Sequence, residues 1–111
     1  MELSLTDLRD LIAPAGTPGM SGTPDPLDPT PGTAVLIRTV TMTLTGRVAS
    51  LSPAWIVLDD AAWIADTGRF ADALSKGTLS EVEPFCDRMW VSRGAIVDMT
   101  FWNFPLPRDQ K

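Results

Sequence analysis

Between Thr39 and Val48, apolar and polar side chains alternate with a period of two. Val40, Met42, Leu44 and Val48 fall on one face, and Thr39, Thr41, Thr43, Thr45 and Arg47 on the other. Successive side chains of a pleated strand point to opposite sides, so the pattern predicts a strand with a buried face and a solvated threonine face. Gly46 falls on the apolar side, where a strand glycine marks a bulge, a sharp bend or a close backbone approach. Ser52-Pro53 signals a turn, and Trp55-Ile56-Val57-Leu58 reads as a second short strand ending at Asp59-Asp60. Ahead of both, Val35 and Ile37 alternate with Leu36 and Arg38 in a first strand. The bend expected near Thr39–Met42 has no Asn-Gly or Gly-Gly pair to form it.

After the acidic pair the apolar course continues through Ala61-Ala62-Trp63-Ile64-Ala65. A short helix is expected at about 68–76, capped by Asp66 or Thr67, with Phe70, Ala71, Ala73 and Leu74 inward and Gly77 just past its end. Thr78–Phe85 carries Leu79, Val82 and Phe85 and is interrupted by Pro84, which suits an edge strand. A last strand pair, Met89–Val91 and Ala95–Met99, flanks Arg93-Gly94. The closing FWNFPLPRDQK packs aromatics on the barrel and leaves as a proline-bounded tail.

The N-terminal third reads differently. Residues 4–12, SLTDLRDLI, predict a short amphipathic helix with Ser4 as N-cap and Asp7 in the first turn. Leu5, Leu8, Leu11 and Ile12 share one face. A helix of about nine residues does not hold in water by itself, so its leucine stripe calls for a surface, on its own barrel, a neighbouring subunit or a partner. Residues 14–32 are dense in proline and glycine and favour extended, partly polyproline-like chain. The expected organisation is an arm over 1–32 and a small, mainly β barrel domain over 33–111. A body of that size is near the lower limit for standing alone, which oligomerisation or docking would relieve.

Charge and side-chain inventory narrow the function classes. With a net charge of −5 and scattered arginines, the chain is a poor candidate for binding nucleic acid through bulk electrostatics. Cys86 is the one cysteine and histidine is absent, so an intrachain disulfide, a Cys–His pair and the usual zinc sites are all excluded. The first residues lack a basic region followed by an apolar run, so no secretory signal is expected. No apolar stretch is long enough to span a bilayer, and a soluble protein is expected. Asp59, Asp60, Asp66 and Arg69 form the one compact polar cluster near a strand end. Paired carboxylates can do acid–base or metal work. The structural alternative is that Asp66 caps the helix, Asp59-Asp60 end a strand, and Arg69 pairs with one of them. No nucleophile–base pair or phosphate-cradling loop is present. No catalytic residue, cofactor or metal is therefore assigned.

Two stretches resemble the Sm-like family. Gly46-Arg47-Val48, the Ser52-Pro53 turn and Trp55–Ala61 resemble its first motif, and Val91-Ser92-Arg93-Gly94-Ala95-Ile96-Val97 its second. The match covers about Val35–Leu58 and Val91–Met99 and implies a strongly bent barrel of about five strands, of the Sm-like or SH3-like kind. Two departures stand out. The family's uridine pocket uses an Asp/Asn pair where this chain has Ser52, Pro53 and Trp55, and Trp63–Asp87 is an insertion. RNA binding is therefore not carried over, whereas ring formation by strand-edge pairing is what the resemblance implies. DDAAWIADTGRFADAL and the PLPRDQK ending resemble small uncharacterised proteins encoded in tailed bacteriophages and prophages. That resemblance implies a virion component, located in the virion or the host cytoplasm.

The expectation is a non-enzymatic structural or accessory subunit, such as a capsid cement, decoration or tail-associated protein, whose partners are other protein subunits. Leu5, Leu8, Leu11, Ile12, Trp63, Trp90, Trp102 and Phe104 are its candidate contact residues, since large exposed aromatics mark contacts on small proteins. An Sm-like nucleic-acid binder and a small enzyme using Asp59, Asp60 and Asp66 are the alternatives.

Overall fold

The computed structural model describes residues 27–111. The helix expected at 4–12, with Leu5, Leu8, Leu11 and Ile12, lies outside the described residues, as does the proline-rich stretch up to residue 26. The described chain is mainly β. Six strands, β1 (Ala34–Thr39), β2 (Thr43–Leu51), β3 (Trp55–Asp66), β4 (Glu81–Pro84), β5 (Met89–Ser92) and β6 (Ile96–Phe101), form one antiparallel sheet, and a short helix, α1 (Phe70–Lys76), joins β3 to β4. The strand order is β4-β3-β2-β1-β6, and β5 also pairs with β3.

β3 bends the sheet into a small barrel. Its first half, Trp55–Leu58, pairs with β5, and its second half, Ala62–Asp66, pairs with β4. A 3₁₀ turn at Arg93–Ala95 then carries the chain from β5 to β6, which pairs with β1. The strand therefore does not end at Asp59-Asp60 as the polar pair suggested. Thr45 lies opposite Ala62 and Arg47 opposite Asp59, so Asp60 and Ala61 together face Gly46. This is a bulge, and Asp60 takes the left-handed conformation (φ 51°) that aspartate tolerates better than most residues. The bulge replaces a strand end with a bend.

The bend between β1 and β2 is made without glycine. The Thr39 N–H donates to the Met42 carbonyl at 2.7 Å, and the Thr39 hydroxyl accepts the Met42 N–H at 3.0 Å. A threonine side chain thus does the work of a dedicated turn pair. Val40 sits in this bend, 74% exposed, and not on the buried face with Leu44 and Val48.

Both faces of the sheet are covered. Val35, Ile37, Leu44, Val48, Ile56, Leu58, Ala61 and Val91 fill the barrel interior. On the opposite face Leu36, Ala62, Ile64 and Val82 pack with Ala73 of α1, Leu79 and Trp102. The three consecutive residues Val35, Leu36 and Ile37 are consequently all buried, as expected of a strand covered on two sides. The threonine face is not uniformly solvated: Thr45 is fully buried, because α1 and the C-terminal residues cover the sheet there.

α1 begins later than expected, after Arg69, and no side chain caps it. Asp66 instead accepts the Gly68 N–H at 2.7 Å and shapes the turn leading in. Only Ala73 of the helix is buried; Phe70 lies under the Arg38 guanidinium, 4.9 Å from the ring centroid. Gly77 closes the helix at φ 74°, its N–H bonded to the Ala73 carbonyl. Phe104 presses on this glycine, where a Cβ would meet the ring at 2.5 Å. β4 is an edge strand ending at Pro84, as expected. The chain end does not depart as a free tail. Arg108 donates to the carbonyls of Ala61 and Phe85, and Lys111 exchanges two backbone bonds with Val82, closing the outer side of β4.

Candidate protein-contact surface

The register of β3 and β5 places two tryptophans on the outside of the barrel. Trp55 is opposite Ser92, and Trp90 is opposite Val57, so the two indoles are diagonal neighbours on one face. Their ring centroids lie 6.3 Å apart with planes at 60°, an edge-to-face pair. Trp55 is 43% exposed and Trp90 64%, while the alternating residues Ile56, Leu58 and Val91 enter the core. The same face then turns polar. Asp59 follows Val57 in parity and pairs with Arg88, Nε to Oδ1 at 2.8 Å, and Asp60 pairs with Arg47. The hydrogen bond that Arg88 donates to Asp59, reinforced by the carboxylate's charge, raises the pKa of Arg88. An aromatic pair bordered by arginines is the residue chemistry enriched at protein contacts.

The expected acidic cluster does not converge. Asp59 and Asp60 are held by Arg88 and Arg47, neither pairs with Arg69, and Asp66 is engaged with the backbone of Gly68. Among the described residues no group of three His, Cys, Asp or Glu side chains could hold a metal ion. Cys86 is exposed and free. Among the described residues no helix is long and apolar enough to cross a membrane.

Of the aromatic contact candidates, Trp90 and Trp63 are on the surface, Trp63 being 43% exposed. Trp102 belongs to the core instead. It is 4% exposed, donates its indole N–H to the Pro105 carbonyl at 3.2 Å, and meets Phe104 edge-on at 5.2 Å. Phe104 is half-buried against the same cluster and Gly77. The sequence reading does not single out Trp55. Parity gave the signal: Trp55, Val57 and Asp59 are alternate residues, and a carboxylate at the end of that row marks it as the outer one.

A second apolar region lies at the barrel end. Leu27, Pro29, Val35, Met99 and Phe101 line an open groove of about 390 Å³. Here the last residues of the arm are bound to the body. Asp28 accepts from both terminal nitrogens of Arg93 at 2.9 and 3.1 Å, and Pro29 is buried. Arg93 Nε donates to the Ser52 carbonyl at 2.7 Å, and the Arg93 N–H to that of Ala54. The arginine of the Arg-Gly pair thus spends its donor fork on the arm and on the turn between β2 and β3.

No protein-family profile matches the chain, and no curated protein matches it.

Proposed function

We propose that the protein is a non-enzymatic subunit of a larger assembly, and that the Trp55–Trp90 face is where it meets another protein subunit. The exposed edge-to-face indole pair carries this reading. Two large apolar rings left on the outside of so small a body gain most when a partner removes them from water, at roughly 25 cal/mol per Å² buried. The outer edges of β5 and β6, which pair with nothing further among the described residues, offer additional backbone contacts. In line with the resemblance of its central segment to phage-encoded proteins, the assembly is a virion, and the role that of a capsid- or tail-associated component.

The nucleic-acid alternative is less well supported, since Arg93 is committed to Asp28 and Ser52 and the net charge is negative. Sedimentation velocity on the full chain tests the proposal. A species heavier than a monomer should appear as concentration rises, and Trp55→Ser with Trp90→Ser should return it to a monomer that still unfolds cooperatively. A chain that is monomeric at every concentration, and absent from pelleted particles of a phage lysate, would sink the proposal.

A further inference from the structure

We infer that the partner met by the Trp55–Trp90 face is a second copy of this chain, joined edge to edge through β5 with the two Trp90 residues paired on the two-fold axis. The inference rests on the assembly reading above and names the partner and the contact.

The first ground is the state of the sheet edges. Among the described residues, β4, β5 and β6 each have one side without a strand neighbour. On β4 the chain end fills that side, since Val82 and Lys111 exchange two backbone bonds. On β6 the register slips from Arg38–Asp98 to Thr39–Ile96, which leaves Val97 as an extra residue. A bulge of this kind bends an edge away from further pairing. β5 has neither protection. Its four residues keep one register against β3, from Trp55–Ser92 to Leu58–Met89.

The second ground is the direction of the backbone groups. The Arg93 N–H donates to the Ala54 carbonyl. Hydrogen-bonded pairs alternate along an antiparallel ladder, so Met89 and Val91 bond to β3, while Trp90 and Ser92 turn their N–H groups outward. Trp90 therefore offers main-chain bonds and an exposed indole at the same edge.

The third ground is self-complementarity. With the axis at Trp90, each Trp90 exchanges two backbone bonds with Trp90 of the second copy, and each Ser92 N–H reaches the Arg88 carbonyl of the other. On the outer face the two indole pairs join into a row of four. On the inner face Met89 meets Val91, apolar against apolar. Arg88 arrives opposite Ser92 already paired with Asp59, so no lone charge is buried. A slip of two residues one way sets Val91 against Asp87. The other way sets Met89 against Arg93, which Asp28 and the Ser52 carbonyl hold. The edge thus fits its own copy in one register, and the two-fold closes the assembly at a dimer.

Amide hydrogen exchange followed by NMR on the full chain, dilute and concentrated, tests the contact. The Trp90 and Ser92 amides should exchange at least about tenfold more slowly in the concentrated sample, while the Met99 amide on β6 keeps its rate. A second test uses proline. Ser92 has φ −68°, an angle proline adopts, and its N–H points away from β3. Ser92→Pro therefore keeps the body folded, and the loss of one edge donor per copy should raise the dimer dissociation constant about tenfold or more in sedimentation. A dimer whose Trp90 and Ser92 amides stay fast, protection already present in the monomer, a Ser92→Pro dimer of native affinity, or a larger ring would each overturn the inference and leave the assembly reading standing. A monomer at every concentration also overturns it, and pelleted phage particles then decide the assembly reading separately. Should Ser92→Pro fail to fold, exchange in the native chain decides by itself.

Discussion

Gly46 lies so close to Leu58 that a Cβ on the glycine would sit 2.9 Å from the leucine Cβ. The contact joins β2 to β3 beside the Asp60 bulge, where the sheet bends. The atom in the way belongs to the root of the leucine side chain, which cannot swing aside without moving backbone. Gly46→Ala should therefore destabilise the fold by about 1–3 kcal/mol, the usual cost of overpacking. The urea midpoint is the readout; an unchanged midpoint would show that β3 can shift.

Thr45 makes the opposite prediction. Its hydroxyl is buried between Leu36 and Ala62 and has no hydrogen-bond partner. Thr45→Val keeps the shape and removes the unsatisfied group, so stability should rise by about 1 kcal/mol. For a domain of this size that is a melting temperature higher by about 4–8 °C. A lower melting temperature would mean that the hydroxyl is bonded in solution.

The tryptophans divide into two kinds. Trp102→Ala empties the second core and should cost about 3–5 kcal/mol in denaturation. Trp90→Ala removes an exposed ring and its edge-to-face contact with Trp55 and should cost only about 1 kcal/mol, yet weaken self-association measured by sedimentation. Equal stability losses for the two would contradict the division.

Arg93 and Arg88 offer a similar contrast. The Arg93–Asp28 side chains are only 28% and 18% exposed, and Arg93 also holds Ser52. Removing it with Arg93→Ala should cost about 2 kcal/mol, as expected for charge-assisted bonds out of water. Arg88→Ala breaks a solvated pair and should leave the urea midpoint close to that of the native chain. Paired urea titrations test the contrast, and equal midpoint shifts would contradict it.

The Arg38–Asp98 pair predicts a pH dependence. The hydrogen bond from Arg38 holds the Asp98 carboxyl below its ordinary range, with desolvation opposing and the charge of Arg38 adding to the effect. A carboxylate whose pKa is depressed on folding contributes stability above its unfolded value, about 3.9. That contribution is lost as pH falls from there through the folded value. Asp98→Asn should therefore flatten the acid limb of a stability–pH curve below about pH 4. Thermal melts through that range are the check, and an acid limb identical to that of the native chain would rule the linkage out.

Much of the fold was legible because period-two alternation and turn residues act locally. The strand at Val35–Arg38, the course of β2, the helix stop at Gly77 and the edge position of Pro84 all follow from such signals. What escaped depends on residues far apart in sequence. Asp59-Asp60 looks like a strand end until Gly46 lies opposite and makes a bulge. Thr45 looks solvated until α1 and Trp102 arrive over it. The exposure of the tryptophans is half legible: Trp90 and Trp63 lie on the surface as the sequence reading expects, the parity of Trp55 with Asp59 points it outward, and Trp102 is buried against expectation. An exposed and a buried tryptophan carry the same local signature, and only the return of the chain end over the sheet separates them.

β1, buried on both sides, neighbours β6, which is made from nearly the last residues of the body. Val35 and Ile37 are shielded by Met99, and Leu36 by Trp102, residues more than 60 positions further along the chain. A refolding chain therefore keeps this apolar run uncovered until its most non-local pairing has formed. Expression should respond to holdase chaperones and to growth temperature more steeply than the finished protein's stability would suggest.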